Sequence, residues 1–144
     1  TVPKTADPDV VEGGFKIIGG ALSVPSTRGV ESIEKMAFAV GSEIIAAEHR
    51  ERTIGCDPID DACARGFITK RGRQIWRRPL SAEETSRLFD LFTAVKTRLD
   101  NPLAGIEFVT AALVQSPHFI FRRELAADGR YTNYALVSRL SFLL

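Results

Sequence analysis

Three prolines, Pro79, Pro102 and Pro117, each interrupt a run of helical hydrophobic spacing, and each stands beside a residue suited to starting a new helix. Proline fixes φ, lacks an N–H and drives the preceding residue out of the helical region, so none of the three belongs inside a continuous helix. The chain is therefore restricted to short helices that meet at corners. The sharpest corner is W-R-R-P-L-S-A-E-E, residues 76–84. Ser81 with Glu84 three residues later spells a capping box, in which the hydroxyl and the carboxylate each satisfy a free backbone N–H. Asn101 before Pro102 and Ser116 before Pro117 give the same kind of restart, a capping side chain followed by proline.

Between these corners the spacing is helical. After P-S-T-R-G, with Ser26 or Thr27 as cap, Val30, Ile33, Ala37, Val40 and Ile44 recur at three and four, which predicts helix one to about Glu48 with that stripe in the core. Gly41 lies on the same side and reads as close packing. Asp60 or Asp61 caps helix two, which ends near Arg77 and buries Ala64, Phe67, Ile68, Gly72, Ile75 and Trp76. Helix three carries Leu88, Leu91, Phe92, Val95 and Leu99. Helix four, from Asn101-Pro102, is apolar around much of its circumference and is expected to be the central one. A short segment, H-F-I-F-R-R-E-L, follows Ser116-Pro117, and Thr132 caps a last helix from about Asn133.

Upstream, F-K-I-I-G-G-A-L-S-V reads as two short strands around Gly19-Gly20, a loop that permits the positive φ angles of a hairpin turn. The expected fold is mostly α, an orthogonal or bundle-like packing of five or six helices with one short N-terminal β-hairpin. Residues 1–25 form an irregular lead-in with the hairpin, and residues 26–144 form the helical region. Thr1 is no initiator Met, and L-V-S-R-L-S-F-L-L ends inside an apolar helical pattern. The expectation is an internal fragment of a larger polypeptide.

Apolar residues make up 44% of the 144 and charged residues 26%, enough for one domain with a real core and too polar for a membrane protein. Apolar runs are only a few residues long, against the ~20 of a membrane span. Nineteen basic and eighteen acidic residues leave a net charge of +1, so no global field attracts nucleic acid, an unlikely partner. Six basic residues with no acid run from Arg65 to Arg78, namely Arg65, Lys70, Arg71, Arg73, Arg77 and Arg78. Such a helix can track phosphates. The plainer reading is a solvated face opposite Asp57, Asp60, Asp61, Glu83 and Glu84.

Few residues offer chemistry. Cys56 and Cys63 lack the close spacing of a zinc site and the C-x-x-C-H of covalent haem attachment. Their spacing favours a small-loop disulfide, and so an oxidising compartment, over two reduced thiols. No metal site is expected. His49 and His118 are the two histidines. His49 sits in a charged helix end that suits an imidazolium. His118 is the better candidate ligand, although capping or packing explains it more simply. Asp60-Asp61 and Glu83-Glu84 stand at helix starts and read as caps. No nucleophile elbow or glycine-rich phosphate loop is present.

Three stretches occur in order: R-R-P-L-S-A-E-E (77–84), S-P-H-F-I-F-R-R-E (116–124) and S-R-L-S-F-L-L (138–144). With Cys56, Cys63 and Ala64 ahead of them, this order resembles exported proteins of unknown function associated with c-type cytochrome modules, of the planctomycete and myxobacterial type. Ile120 and Phe121 stand where that family has Leu and Tyr. The resemblance covers roughly residues 12–144 and makes Pro79, Ser81, Glu84, Arg122, Glu124 and Arg139 structural motif residues. Glu84 and Glu124 are the natural partners of the arginines. It implies a periplasmic or extracellular location, a disulfide-bearing helical unit in a multi-subunit complex, and electron transfer with haem c on a partner chain or another domain, none of it bound covalently here. His118, Arg77 and Arg78 are the candidate haem or anion contacts. The function expected is a non-catalytic helical portion of an exported, haem-linked oxidoreductase or electron-transfer assembly. The alternative is a structural or assembly subunit with no redox role that docks through its apolar C-terminal helix. No catalytic residues follow from the resemblance.

Overall fold

The computed structural model describes residues 26–121 and 131–140. Seven helices lie among the described residues: α1 (Thr27–Ile45), α2 (Ala47–Thr53), α3 (Asp61–Trp76), α4 (Ala82–Leu99), α5 (Pro102–Gln115), α6 (Pro117–Ile120) and α7 (Asn133–Leu140). The mostly helical expectation holds. The hairpin and lead-in expected over residues 1–25 lie outside the described residues.

Each predicted restart is made by the residue the sequence points to. Ser26 Oγ accepts from Gly29 N at 3.0 Å, and Asp60 Oδ1 accepts from Ala62 N at 2.9 Å. Asn101 Oδ1 accepts from Leu103 N at 3.0 Å, with Pro102 in the first helical position, where a missing N–H costs nothing. Thr132 Oγ1 accepts from Ala135 N at 3.1 Å.

Helix α5 is the centre, as its composition predicts. One side packs Ile106, Val109 and Leu113 against Ala64, Phe67 and Ile68 of α3 and Leu88, Phe89 and Phe92 of α4. Phe92, Ile106, Val109 and Leu113 lose all contact with water, and each such side chain contributes about 1.5–3 kcal/mol by its burial. The other side sets Ala111 and Val114 against Ala37 of α1. Phe38 and Phe108 meet edge to face at 5.0 Å beside this crossing. The one buried polar side chain among the described residues, Thr110, donates to Ile106 O at 2.8 Å and so adds no unsatisfied group.

The α1–α5 crossing runs over small residues. A Cβ added to Gly41 would stand 2.9 Å from Glu107 O and 3.0 Å from its Cγ. The stripe read from spacing was therefore too generous at its ends. Val30 of α1 and Leu99 of α4 are exposed, while Phe89, outside the expected face, is buried.

Helix one also ends earlier than expected. Ala46 leaves helical geometry with ψ 141°, and His49 N and Arg50 N both donate to its carbonyl, starting α2. Thr53 Oγ1 folds this piece back by donating to Ile44 O at 2.7 Å. Arg71 of α3 closes it with Nη2 and Nε on Thr53 O, at 2.5 and 3.2 Å. Positive donors on the last carbonyls satisfy groups that a helix end leaves open.

Cys56 and Cys63 form a disulfide. It closes a loop of eight residues between α2 and the first turn of α3, which the chain-entropy model values at about 2–3 kcal/mol. The same loop is tied to α4 by Lys96, whose Nζ donates to Ile59 O at 2.8 Å and to Asp61 at 3.2 Å.

Two glycine substitutions separate close packing from mere helix propensity. Gly66 has nothing within 4 Å of an added Cβ, so Gly66→Ala is expected to stabilise the fold by about 0.5–1 kcal/mol. Gly41→Ala is expected to destabilise it by about 1–3 kcal/mol, because Glu107 backbone must shift. Paired urea melts check the opposite signs.

Candidate functional site

The corner at residues 76–84 and the corner at residues 115–121 are far apart in sequence and adjacent in space. Helix α3 stops at Arg77, which takes left-handed geometry with φ 55°. A glycine would be at ease there, whereas a side chain costs about 1 kcal/mol. Pro79 disfavours helical geometry at Arg78, so the helix cannot resume before it. Leu80 lies over α3 so closely that a Cβ on Gly72 would fall 2.5 Å from its Cδ1.

Ser81 and Glu84 form the complete capping box. Glu84 N donates to Ser81 Oγ at 3.1 Å, and Ser81 N donates to Glu84 Oε2 at 2.8 Å. The carboxylate has a second duty. Arg78 grips it bidentately, Nη1 to Oε2 at 2.9 Å and Nη2 to Oε1 at 2.6 Å, and Nη1 also donates to Pro79 O at 2.9 Å. Parallel guanidinium–carboxylate bonds are among the strongest a protein makes.

The second corner supplies His118. Ser116 Oγ accepts from His118 N at 3.2 Å and starts α6. The imidazole Nε2 lies 3.2 Å from Arg78 Nη2 and 3.7 Å from Glu84 Oε1. A guanidinium only donates, so Nε2 is the acceptor in the contact with Arg78. Trp76 packs on the imidazole at 4.7 Å between ring centroids, and Arg78 Cζ stands 5.2 Å from the indole centroid. The indole Nε1 donates to Leu113 O at 3.0 Å, which fastens the corner to α5.

These groups are half-buried: Arg78, Glu84 and His118 side chains keep 30, 24 and 26% of their accessible surface. Water screens them poorly. The hydrogen bond from Arg78 holds the Glu84 carboxyl down at about 2, with further help from Ser81 N–H, the guanidinium charge and His118, against the opposing effect of burial. The same hydrogen bond raises Arg78 above its ordinary value.

Of the candidate contacts, Arg78 and His118 come together in this knot. Arg77 does not. It lines a cleft along α3 with Lys70, Arg73 and Tyr134. Arg122 and Glu124 lie outside the described residues. Arg139 falls within α7. The expectation that the basic run of α3 faces Asp57, Asp60, Asp61, Glu83 and Glu84 holds for Arg78 with Glu84 alone. Asp61 pairs with Lys96, and Glu83 with Arg87. Arg65 sits 3.5 Å over the Phe89 ring, and Arg71 caps α2. His49, expected at a helix C-terminus, stands in the first turn of α2, 3.7 Å from Glu43, because the chain breaks at Ala46. Sequence reading missed the Trp76, Arg78 and His118 cluster. Its signal was present in the aromatic beside R-R-P and the histidine after S-P.

Among the described residues no group of His, Cys, Asp and Glu is placed to hold a metal ion. What the knot can do is lock two corners with one hydrogen-bonded network. Residues 63–124 match the family model described as PSD5, a protein of unknown function (DUF1595). The matched stretch runs from the second cysteine through both corners. No curated protein and no solved structure matches the chain.

Adjacent glutamates test the lock. Glu84→Ala is expected to cost about 2–3 kcal/mol, the loss of a charged hydrogen-bond pair and a cap, against ~0.5 kcal/mol or less for Glu83→Ala, whose pair with Arg87 is exposed. The folded Glu84 carboxyl titrates near 2 and the unfolded one near 4.5, so its contribution is full above ~pH 5 and is lost as pH falls toward 2. Denaturant melts across pH 2–6 should show this loss in the wild type and in Glu83→Ala, and a shallower one in Glu84→Gln.

Proposed function

We propose that this chain is a non-catalytic helical portion of an exported, haem-linked oxidoreductase or electron-transfer assembly. The observation that carries the reading is that Arg78, Glu84 and His118, the charged and titratable groups that the two matched corners bring together, are engaged with one another. Arg78, Glu84, His118 and Trp76 contact one another in a network whose effect is to fix two corners against α5. The link to c-type cytochromes rests on the ordered motifs and on the match over residues 63–124. The Cys56–Cys63 disulfide supports a periplasmic or extracellular location, since such bonds persist in oxidising compartments. No helix among the described residues is long and apolar enough to cross a membrane.

In this reading haem belongs to a partner chain or another domain, and the chain holds the assembly's geometry. Isolation of the natural complex through a tag on this chain, followed by absorption spectroscopy, is the test. A Soret band that co-purifies in fixed proportion with the chain is expected, and its absence would contradict the redox link.

One observation favours the second reading, a structural or assembly subunit without a redox role. On α7 the side chains of Tyr134, Leu136, Val137 and Leu140 are exposed, more apolar surface than a free helix of eight residues ordinarily presents. A stable complex without haem would establish that reading in place of the first.

A further inference from the structure

The Cys56–Cys63 bridge has two unlike ends. Cys56 is exposed in the loop before α3, whereas Cys63 is 8% exposed in the first turn of that helix. A disulfide is opened by a thiolate that attacks one sulfur and expels the other, so access decides which end is entered. Of the two, Cys56 offers the open approach. The sulfur expelled is then that of Cys63, at the start of a 16-residue helix, where backbone N–H groups and the dipole favour a thiolate. The acids beside it are already engaged, Asp60 with Ala62 N and Asp61 with Lys96. Access and leaving group select the same direction.

The surroundings of Cys56 leave room for a partner. It borders a cleft of about 660 Å³ between α2, the loop and the start of α5, lined also by Arg50, Asp57, Ile59, Asn101 and Leu103. Ile59 is 63% exposed there and gives an approaching molecule an apolar contact between polar ones. The loop is also separable from the core. Of residues 55–60 only Pro58 is buried. Thr53 before the loop is held by Arg71, and Asp60 after it by the α3 cap, neither through the bridge.

We infer that the bridge is a thiol–disulfide exchange site, entered at Cys56 by a dithiol, and that its opening frees the 55–60 loop while the helical core stays folded. One thiolate of the dithiol bonds to Cys56 Sγ as the bond to Cys63 breaks, and the electron pair leaves on Cys63 Sγ, which takes up a proton. The second thiol of the dithiol loses its proton and attacks its own partner sulfur. That closes the dithiol's disulfide and releases Cys56, which is protonated in turn. Two electrons and two protons pass from the dithiol to the bridge. This holds whether or not haem accompanies the chain.

Three measurements on the full chain test it. Reduction by dithiothreitol without denaturant should be first order in reagent and unchanged by low urea. A rate that climbs steeply with urea, the mark of a bridge reached only through unfolding, would overturn the site. Reduced glutathione, a monothiol, captures the first step. After alkylation of the remaining thiols, peptide mass spectrometry should find glutathione on Cys56 and the alkyl group on Cys63, about tenfold or more over the reverse. Equal labelling, or glutathione chiefly on Cys63, would overturn the direction. Hydrogen exchange then reads the release, in the reduced chain and in a Cys56→Ser/Cys63→Ser double variant. Residues 55–60 should exchange about tenfold faster than in the oxidised chain, with α5 still protected. An unchanged loop, or lost protection throughout α5, would make the bridge a structural clamp and overturn the proposed release.

Discussion

A guanidinium brings five hydrogen-bond donors and no acceptor, and Arg78 carries one that is largely withdrawn from water. Everything at the paired corners follows from finding acceptors for it. Glu84 supplies two, Pro79 O a third, and His118 Nε2 a fourth from the second corner, 40 residues away in sequence. Because Glu84 is already the third residue of a capping box, the start of α4, the end of α3 and the start of α6 share one carboxylate. Removing any member leaves the others with unmatched polar groups in a poorly solvated place, which costs more than the bond itself. The corner that looked like an anion site in sequence is therefore two things. Arg78 is structural, and Arg77, turned aside by its left-handed backbone, borders a different surface.

The knot works because α5 provides a fixed wall. Its apolar circumference is covered by α3 and α4 on one side and α1 on the other. Trp76 joins the two systems, with its indole N–H on Leu113 O and its ring against His118. The Cys56–Cys63 bridge and Lys96 hold the opposite end of α3. Helix α3 is thus fastened at both ends, with its buried face on the core and its basic face outward.

Local interactions were the legible ones. Ser26, Asp60, Ser81, Asn101, Ser116 and Thr132 cap helices where the sequence places them, since a cap and the N–H groups it serves lie within three residues. The stripe on α1 was misjudged because periodicity gives a direction and not the reach of the neighbour. Gly41 and Ala37 make the crossing, whereas Val30 at the end of the stripe stays exposed. The break at Ala46 had no proline or glycine to announce it. Arg71 on Thr53 O, Trp76 on Leu113 O and Arg78 on His118 span 18, 37 and 40 residues. Which arginine of six meets which acceptor depends on helix crossings that a basic run does not encode.

Arg78 and His118 act as one lock between two distant motifs. A double-mutant cycle on Arg78→Ala and His118→Ala, read by urea denaturation at pH 7, measures it most directly. The predicted result is a coupling of about 1 kcal/mol or more, as expected for residues in one hydrogen-bonded network. Additive effects of the two substitutions, within about 0.3 kcal/mol, would contradict the lock and return each corner to an independent cap.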